Sequence, residues 1–194
     1  MENIEQVKKL RQETDVSVSE CKKALETAKG DFEKAKELLR RWGGELAKKK
    51  SQREAEQGMV ESYIHPNKKV GVLVDLGCES DFVAKSEDFQ KLAHEICLQV
   101  AAASPLFIKE EDIPEDLIKK EKAIYRAQSK NADKPKEIIN QIVEGKLKKF
   151  RKEISLLSQP WIKDEKKAVK ELMDEYVAKL GENIVVKRFI RYEI

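Results

Sequence analysis

Cysteine is scarce in this 194-residue chain, and the three present, Cys21, Cys78 and Cys97, form no C-x-x-C pair. An odd count without paired spacing excludes a disulfide framework, and with only His65 and His94 as co-ligands it speaks against a zinc site. Such thiol usage fits a reducing compartment. Glycine is thin too: the eight present are scattered, and the chain has no Walker-type phosphate loop, no G-x-S-x-G and no H-E-x-x-H. Nothing here builds a catalytic constellation, so the chain reads as a non-enzyme needing no cofactor and no metal of its own. Long apolar runs are also missing. The longest charge-free stretch, Ile96 to Ile108, is thirteen residues interrupted by Pro105, short of the ~20 that span a bilayer. Behind Met1, Ile4, Val7 and Leu10 recur at helical spacing among acidic residues, which matches neither an export signal nor a transit peptide. The expected location is the cytoplasm, with no membrane partner.

Charge is what the chain has in abundance. Charged residues make up 39% of it, 39 Lys and Arg against 36 Asp and Glu, which points to a heavily helical chain. The 40% hydrophobic fraction still fills a core, and this length suits one or two modest domains. The net charge of +3 is local: residues 1 to 55 hold 14 basic and 11 acidic groups, and the rest balances at 25 each. That footprint is too weak for direct nucleic-acid binding.

The first 45 residues read as three short helices. Ile4, Val7 and Leu10 mark the first; Ser17-Val18-Ser19-Glu20 is a capping box opening a second, with Val18, Cys21, Ala24, Leu25 and Ala28 on one face. Gly30 ends it, and Asp31 caps a third carrying Phe32, Ala35, Leu39 and Trp42, which Gly43-Gly44 is expected to stop. Such helices bury their stripes only against one another. The predicted organisation is a three-helix bundle over 1–45, a linker over 46–57 and a core over 58–194.

Past the linker the apolar period falls from 3.6 to 2. Val60, Ser62 and Ile64 alternate with Met59, Glu61 and Tyr63; Pro66-Asn67 offers a turn; and Val70, Val72, Val74 and Leu76 share one face of a second strand. Ser86 caps a helix with Phe89, Leu92, Ala93, Ile96, Cys97 and Val100 inward, ended by Ser104-Pro105. Two helices follow, from Pro114 to about Ser129 and from Pro135 to about Leu157, the second with Ile138, Ile142, Phe150 and Ile154 in line. Gln159-Pro160-Trp161 breaks the pattern. A last helix carries Ala168, Val169, Leu172, Met173, Tyr176 and Leu180 and stops at Gly181, and Asn183 to Tyr192 is β-branched enough for a final strand. The fold class expected is α+β, with a small antiparallel sheet and helices packed on it.

The informative segment is Gly77 to Ser86, a link between strand and capped helix that carries Phe82 among polar residues. Phe82 and Val83 could fold inward as a staple beneath the next helix, or stand out as a wedge with the Asp81 carboxylate beside it. Connecting loops on a rigid scaffold are where binding residues are commonly presented. Cys78 is not a credible nucleophile, because neighbouring Glu79 and Asp81 would raise its pKa. His94 reads as a surface or core-edge residue.

Cys78-Glu79-Ser80-Asp81-Phe82-Val83-Ala84 closely resembles the C-x-T-D-F-V-A signature of the bacterial elongation factor Ts family. Three further stretches agree in order: Cys21-Lys22-Lys23-Ala24-Leu25 with Gly30-Asp31; Lys134-Pro135-Lys136-Glu137-Ile138 with Val143-Glu144-Gly145; and Leu157-Ser158-Gln159-Pro160. Ser80 departs from the usual Thr but keeps the hydroxyl, and Val16 to Ser19 departs from a turn usually richer in Gly and Met.

The resemblance implies a translation factor that acts as guanine-nucleotide exchange factor for elongation factor Tu. It implies a bundle of ubiquitin-associated type, and an exchange loop of Ser80, Asp81, Phe82 and Val83. By family analogy the Phe82 ring inserts between helices of the GTPase domain, Asp81 lies near the region that organises its Mg²⁺, and the bundle grips another helix. For Phe82 this turns the balance from staple to wedge. The resemblance is to the short type with one core copy, which implies a homodimer. The sequence adds a reason: Val185, Lys187 and Phe189 alternate with Ile184, Val186 and Ile190, so both faces of the final strand carry apolar residues. A strand enclosed within the monomer is the alternative. A ribosome-associated RNA-binding protein, or an adaptor using the bundle alone, are the competing functions.

Overall fold

The computed structural model describes residues 4–14, 16–129 and 135–194; Lys134 of the quoted motif therefore lies outside the described residues. Helices α1 (Ile4–Thr14), α2 (Val18–Thr27) and α3 (Phe32–Lys50) form the expected bundle. Ser17 Oγ accepts from the Glu20 N–H at 3.2 Å and Asp31 Oδ1 from the Lys34 N–H at 3.1 Å, so both capping residues act as their sequence suggests. Leu10, Cys21, Ala24, Leu25, Ala35 and Leu39 close a small core of their own. Val18, at the first position of α2, stays exposed.

Gly43-Gly44 does not stop α3, which continues to Lys50. Gly43 is buried, and a Cβ there would stand 3.6 Å from Ala178 Cβ and 3.8 Å from the Asp174 carbonyl oxygen, both on α8 (Val169–Leu180). The missing side chain lets α3 lie close against α8, and Ala47, one turn on, enters the main core. Residues 46–50 of the expected linker are thus helical, and 51–56 connect to the first strand at Gln57. Both Gly43 contacts are ordinary van der Waals separations, so Gly43→Ala should raise the melting temperature by about 2–4 °C, from a helix-propensity gain of about 1 kcal/mol. Gly43→Leu should lower it, because a longer side chain has to push α8 away. Thermal melts of the two variants check the pair.

The main sheet is antiparallel in the order β1-β2-β5, with β1 at Gln57–Ile64, β2 at Val70–Cys78 and β5 at Val185–Glu193. Val72, Val74 and Leu76 are buried beneath α5 (Glu87–Ala103), which supplies Phe89, Leu92, Ala93, Ile96, Cys97 and Val100. β5 carries a bulge: Asp75 pairs with Arg188 but Leu76 with Val186, leaving Lys187 unpaired. This corrects the simple alternation. The extra residue brings Val186 and Phe189, an odd number of positions apart, onto the same core-facing side, while Ile190 and Tyr192 point outward.

Helices α6 (Glu115–Ser129) and α7 (Lys136–Ile154) pack on each other as a projecting pair. Their base is closed by Leu106 and Phe107 N–H groups donating to the Ile154 carbonyl and by Leu156 N–H donating to Phe107. The buried residues of α7 are Val143 and Leu147; Ile138, expected inward, is exposed. A second small sheet, β3 (Pro160–Trp161) with β4 (Asp164–Ala168), follows where the sequence suggested only a break. It is anchored by Gln99 on α5, fully buried, whose Nε2 donates to Gln159 Oε1 and the Pro160 carbonyl while its Oε1 accepts from Ile162 N–H. No described helix is long and apolar enough to cross a membrane.

Candidate partner-binding site

The signature segment folds as a single helical turn, α4 (Asp81–Ala84), wedged between β2 and α5. Two serines bracket it. Ser80 Oγ accepts from the Val83 N–H at 3.3 Å, and Ser86 Oγ donates to the Val83 carbonyl at 2.8 Å while capping α5 by accepting from Phe89 N–H. A single turn presents opposite sides to core and solvent. Val83 and Ala84 are buried in the main core, whereas Phe82 is 81% exposed.

The four expected site residues therefore divide by role. Phe82 projects, and the inward staple applies to Val83 alone, which anchors the turn from beneath. Asp81 is exposed, with Lys85 Nζ donating to its Oδ2 at 2.8 Å, and this hydrogen bond and charge hold its carboxyl below the usual range. At neutral pH the turn offers an ionised carboxylate beside an unburied aromatic ring. Ser80 is a capping residue lying between the surface and the support beneath it.

That support was not found from the sequence. Glu182, just beyond the left-handed Gly181 (φ +75°) that ends α8, turns its carboxylate onto the loop: Oε2 accepts from the Glu79 and Ser80 N–H groups at 3.1 and 2.9 Å, and Oε1 accepts from Ser80 Oγ at 2.6 Å. Glu79 reciprocates, its Oε1 accepting from Asn183 N–H at 2.6 Å, and Asn183 Nδ2 donates to the Arg53 carbonyl at 2.7 Å. Lys50 Nζ donates to the Gly181 carbonyl at the same corner. The available sequence signal was slight: polar residues directly after a helix stop, with no local partner.

Cys78 is buried, its Sγ donating to the Ser80 carbonyl at 3.1 Å. Burial is the main cause pushing its thiol up, followed by the Glu182 charge, rather than the Glu79 and Asp81 neighbours that the sequence suggested. Burial also raises Cys21 and pushes Cys97 up to about 12. Iodoacetamide at pH 8 should therefore leave all three thiols unmodified in the folded protein and label them after denaturation, as read by intact mass. His94 is half-exposed at the core edge, 3.7 Å from Glu61 and edge-on to Tyr63. Among the described residues no cluster of His, Cys, Asp and Glu could hold a metal ion.

The family described as Elongation factor TS matches residues 2–194. Among proteins named elongation factor Ts, that of Thermodesulfovibrio yellowstonii is 52% identical over 188 residues, covering 97% of this chain and 94% of the relative. That of Coprothermobacter proteolyticus is 52% identical over 97% of this chain and 95% of its own length, and that of Caldanaerobacter subterraneus subsp. tengcongensis 51% over 96% and 94%. A match that runs from the bundle through the capped Asp81–Phe82 turn to the last strand identifies the chain as a translation elongation factor belonging to the elongation factor Ts family.

Proposed function

We propose that this chain is the guanine-nucleotide exchange factor of elongation factor Tu and that the Asp81–Phe82 turn dislodges the nucleotide. The observation that carries this reading is Phe82, a large aromatic left 81% exposed at the tip of a turn capped at both ends and anchored by a buried valine. A GTPase holds its nucleotide through a phosphate loop and Mg²⁺. A ring pushed between the helices behind that loop, with the Asp81 carboxylate beside the Mg²⁺ region, favours the nucleotide-free form. By linkage, nucleotide must then expel the factor with the same coupling free energy. No covalent chemistry and no cofactor are involved.

The bundle of residues 1–45 supplies a second grip on the GTPase, and the core of residues 58–194 presents the turn, the two being joined by the end of α3 and residues 51–57. The working form is a homodimer in the cytoplasm, acting without direct nucleic-acid contact. The apolar outer face of the main sheet supports the dimer. Stopped-flow release of fluorescent GDP from elongation factor Tu tests the whole reading. Release into excess unlabelled GDP should accelerate saturably with this protein, and free GDP should displace the factor from the nucleotide-free complex; release at the unassisted rate overturns the exchange role.

A further inference from the structure

We infer that Glu182 is the positioning residue of the exchange turn: it fixes Ser80, and through Ser80 the outward Asp81–Phe82 pair, before any partner arrives. The inference rests on the exchange role proposed above and adds to it a residue 102 positions after Ser80.

Three donors converge on one carboxylate. Two are consecutive backbone N–H groups, Glu79 and Ser80, at the point where β2 ends and no ladder partner remains for them; the third is the Ser80 hydroxyl at 2.6 Å. Hydrogen bonds to a carboxylate are shorter and stronger than those between neutral groups, and three of them hold this loop from one side chain. The Ser80 hydroxyl works in both directions, donating to Glu182 and accepting from Val83 N–H. The same atom thus couples the end of α8 to the cap of α4. Glu182 is itself held in place. Gly181 in the left-handed region breaks α8, Lys50 grips the Gly181 carbonyl, and the next residue, Asn183, is buried with its N–H on Glu79 Oε1 and its side chain on the Arg53 carbonyl.

A four-residue turn has almost no helical stability of its own. Without the tether, the Ser80 end of the turn loosens while Val83 and Ser86 still hold the other end, and a smaller fraction of molecules present the wedge. Apparent affinity for the GTPase falls by that fraction, while the rate within a correctly formed complex is unchanged. Removing the wedge itself acts on the rate instead.

Ser80→Asp separates tether from cap. Aspartate caps a helix as well as serine does, so Val83 N–H keeps an acceptor, but it cannot donate to Glu182 and sets two carboxylates in contact. In stopped-flow GDP release with the full chain, Ser80→Asp should raise the half-saturating concentration about tenfold. Adding Glu182→Gln to it gives the link back with donor and acceptor exchanged, and should return half-saturation to within about threefold of the parent. Hydrogen exchange of the 79–83 amides should accelerate in Ser80→Asp and slow again in the double variant. A purely structural role would lower the melting temperature without moving half-saturation per folded molecule, and would show no rescue. If Ser80→Asp leaves half-saturation unchanged while Phe82→Ala lowers the maximal rate, the positioning role is overturned and the exchange reading stands. If Phe82→Ala also leaves the rate unchanged, both are overturned.

Discussion

Phe82→Ala is expected to cut the maximal rate of GDP release from elongation factor Tu by about thirty-fold, the kinetic equivalent of about 2 kcal/mol at a well-packed hot spot. The fold should hardly register the change. At 81% exposure the ring makes little contact with its own protein, and substitutions of such residues stay within about 0.5 kcal/mol, or about 2 °C in melting temperature for a chain of this size. The turn itself survives because its anchors are elsewhere, in Val83 below and in the Ser80 and Ser86 hydroxyls at either end. Asp81→Ala should impair exchange in the same assay, since Asp81 is the ionised group next to the ring. The opposite pattern, a melting temperature lower by many degrees with exchange intact, would mean that the ring spends its time folded inward, and the wedge would be abandoned.

Local chemistry was legible in the sequence wherever one residue settles the matter. Ser17, Asp31 and Ser86 cap the helices they precede, Gly181 ends α8, and the change of period after residue 57 marks the β1–β2 hairpin, because each of these signals is read within a few residues. Gly43-Gly44 shows where that stops. A glycine inside a helical pattern is either a stop or a place of close approach, and the choice depends on α8, more than a hundred residues later. The bulge at Lys187 is similar: alternation assumes an unbroken ladder, and the register of β5 is set by its pairing with β2. The candidate site splits along the same line. The motif placed the turn and named Ser80, Asp81, Phe82 and Val83, but which of them face outward was decided by the packing of α4 on β1 and β2. Glu182 was invisible for the same reason, since its three donors all lie on a loop about a hundred residues earlier.

Leu73→Glu or Ile190→Glu is expected to convert a dimer of about twice 22.3 kDa into a monomer, as measured by sedimentation equilibrium across micromolar concentrations. The argument begins with the uncovered side of the main sheet. Register places Ser62, Leu73 and Ile190 in one row and Ile64, Gly71 and Tyr192 in the next, and Val60, Ile64, Leu73, Ile190 and Tyr192 are all exposed. Ile64 lies over Gly71, where a Cβ would meet its Cδ1 at 3.1 Å, so Ile64 bridges the glycine toward Tyr192, while Asp75 and Arg188 pair at the other end of this face beside Val60. Among the described residues, the helices packed on this sheet, α4 and α5, lie on the other face. A half-covered antiparallel sheet normally presents polar residues to water. Stacking this face on its two-fold mate, at the ~10 Å spacing of packed sheets, removes it from solvent in an isologous contact where each residue meets a patch that includes its own copy. A carboxylate introduced in such a patch is buried twice, once from each subunit. Two comparisons locate the effect. Ile124→Glu, equally exposed but on α6, should leave the dimer intact. Phe189→Glu, which simple alternation would have placed in the same interface, should instead lower the melting temperature, because the bulge turns that ring toward the core. A parent protein that sediments near 22.3 kDa throughout the micromolar range would exclude the dimer and leave the sheet face to another partner.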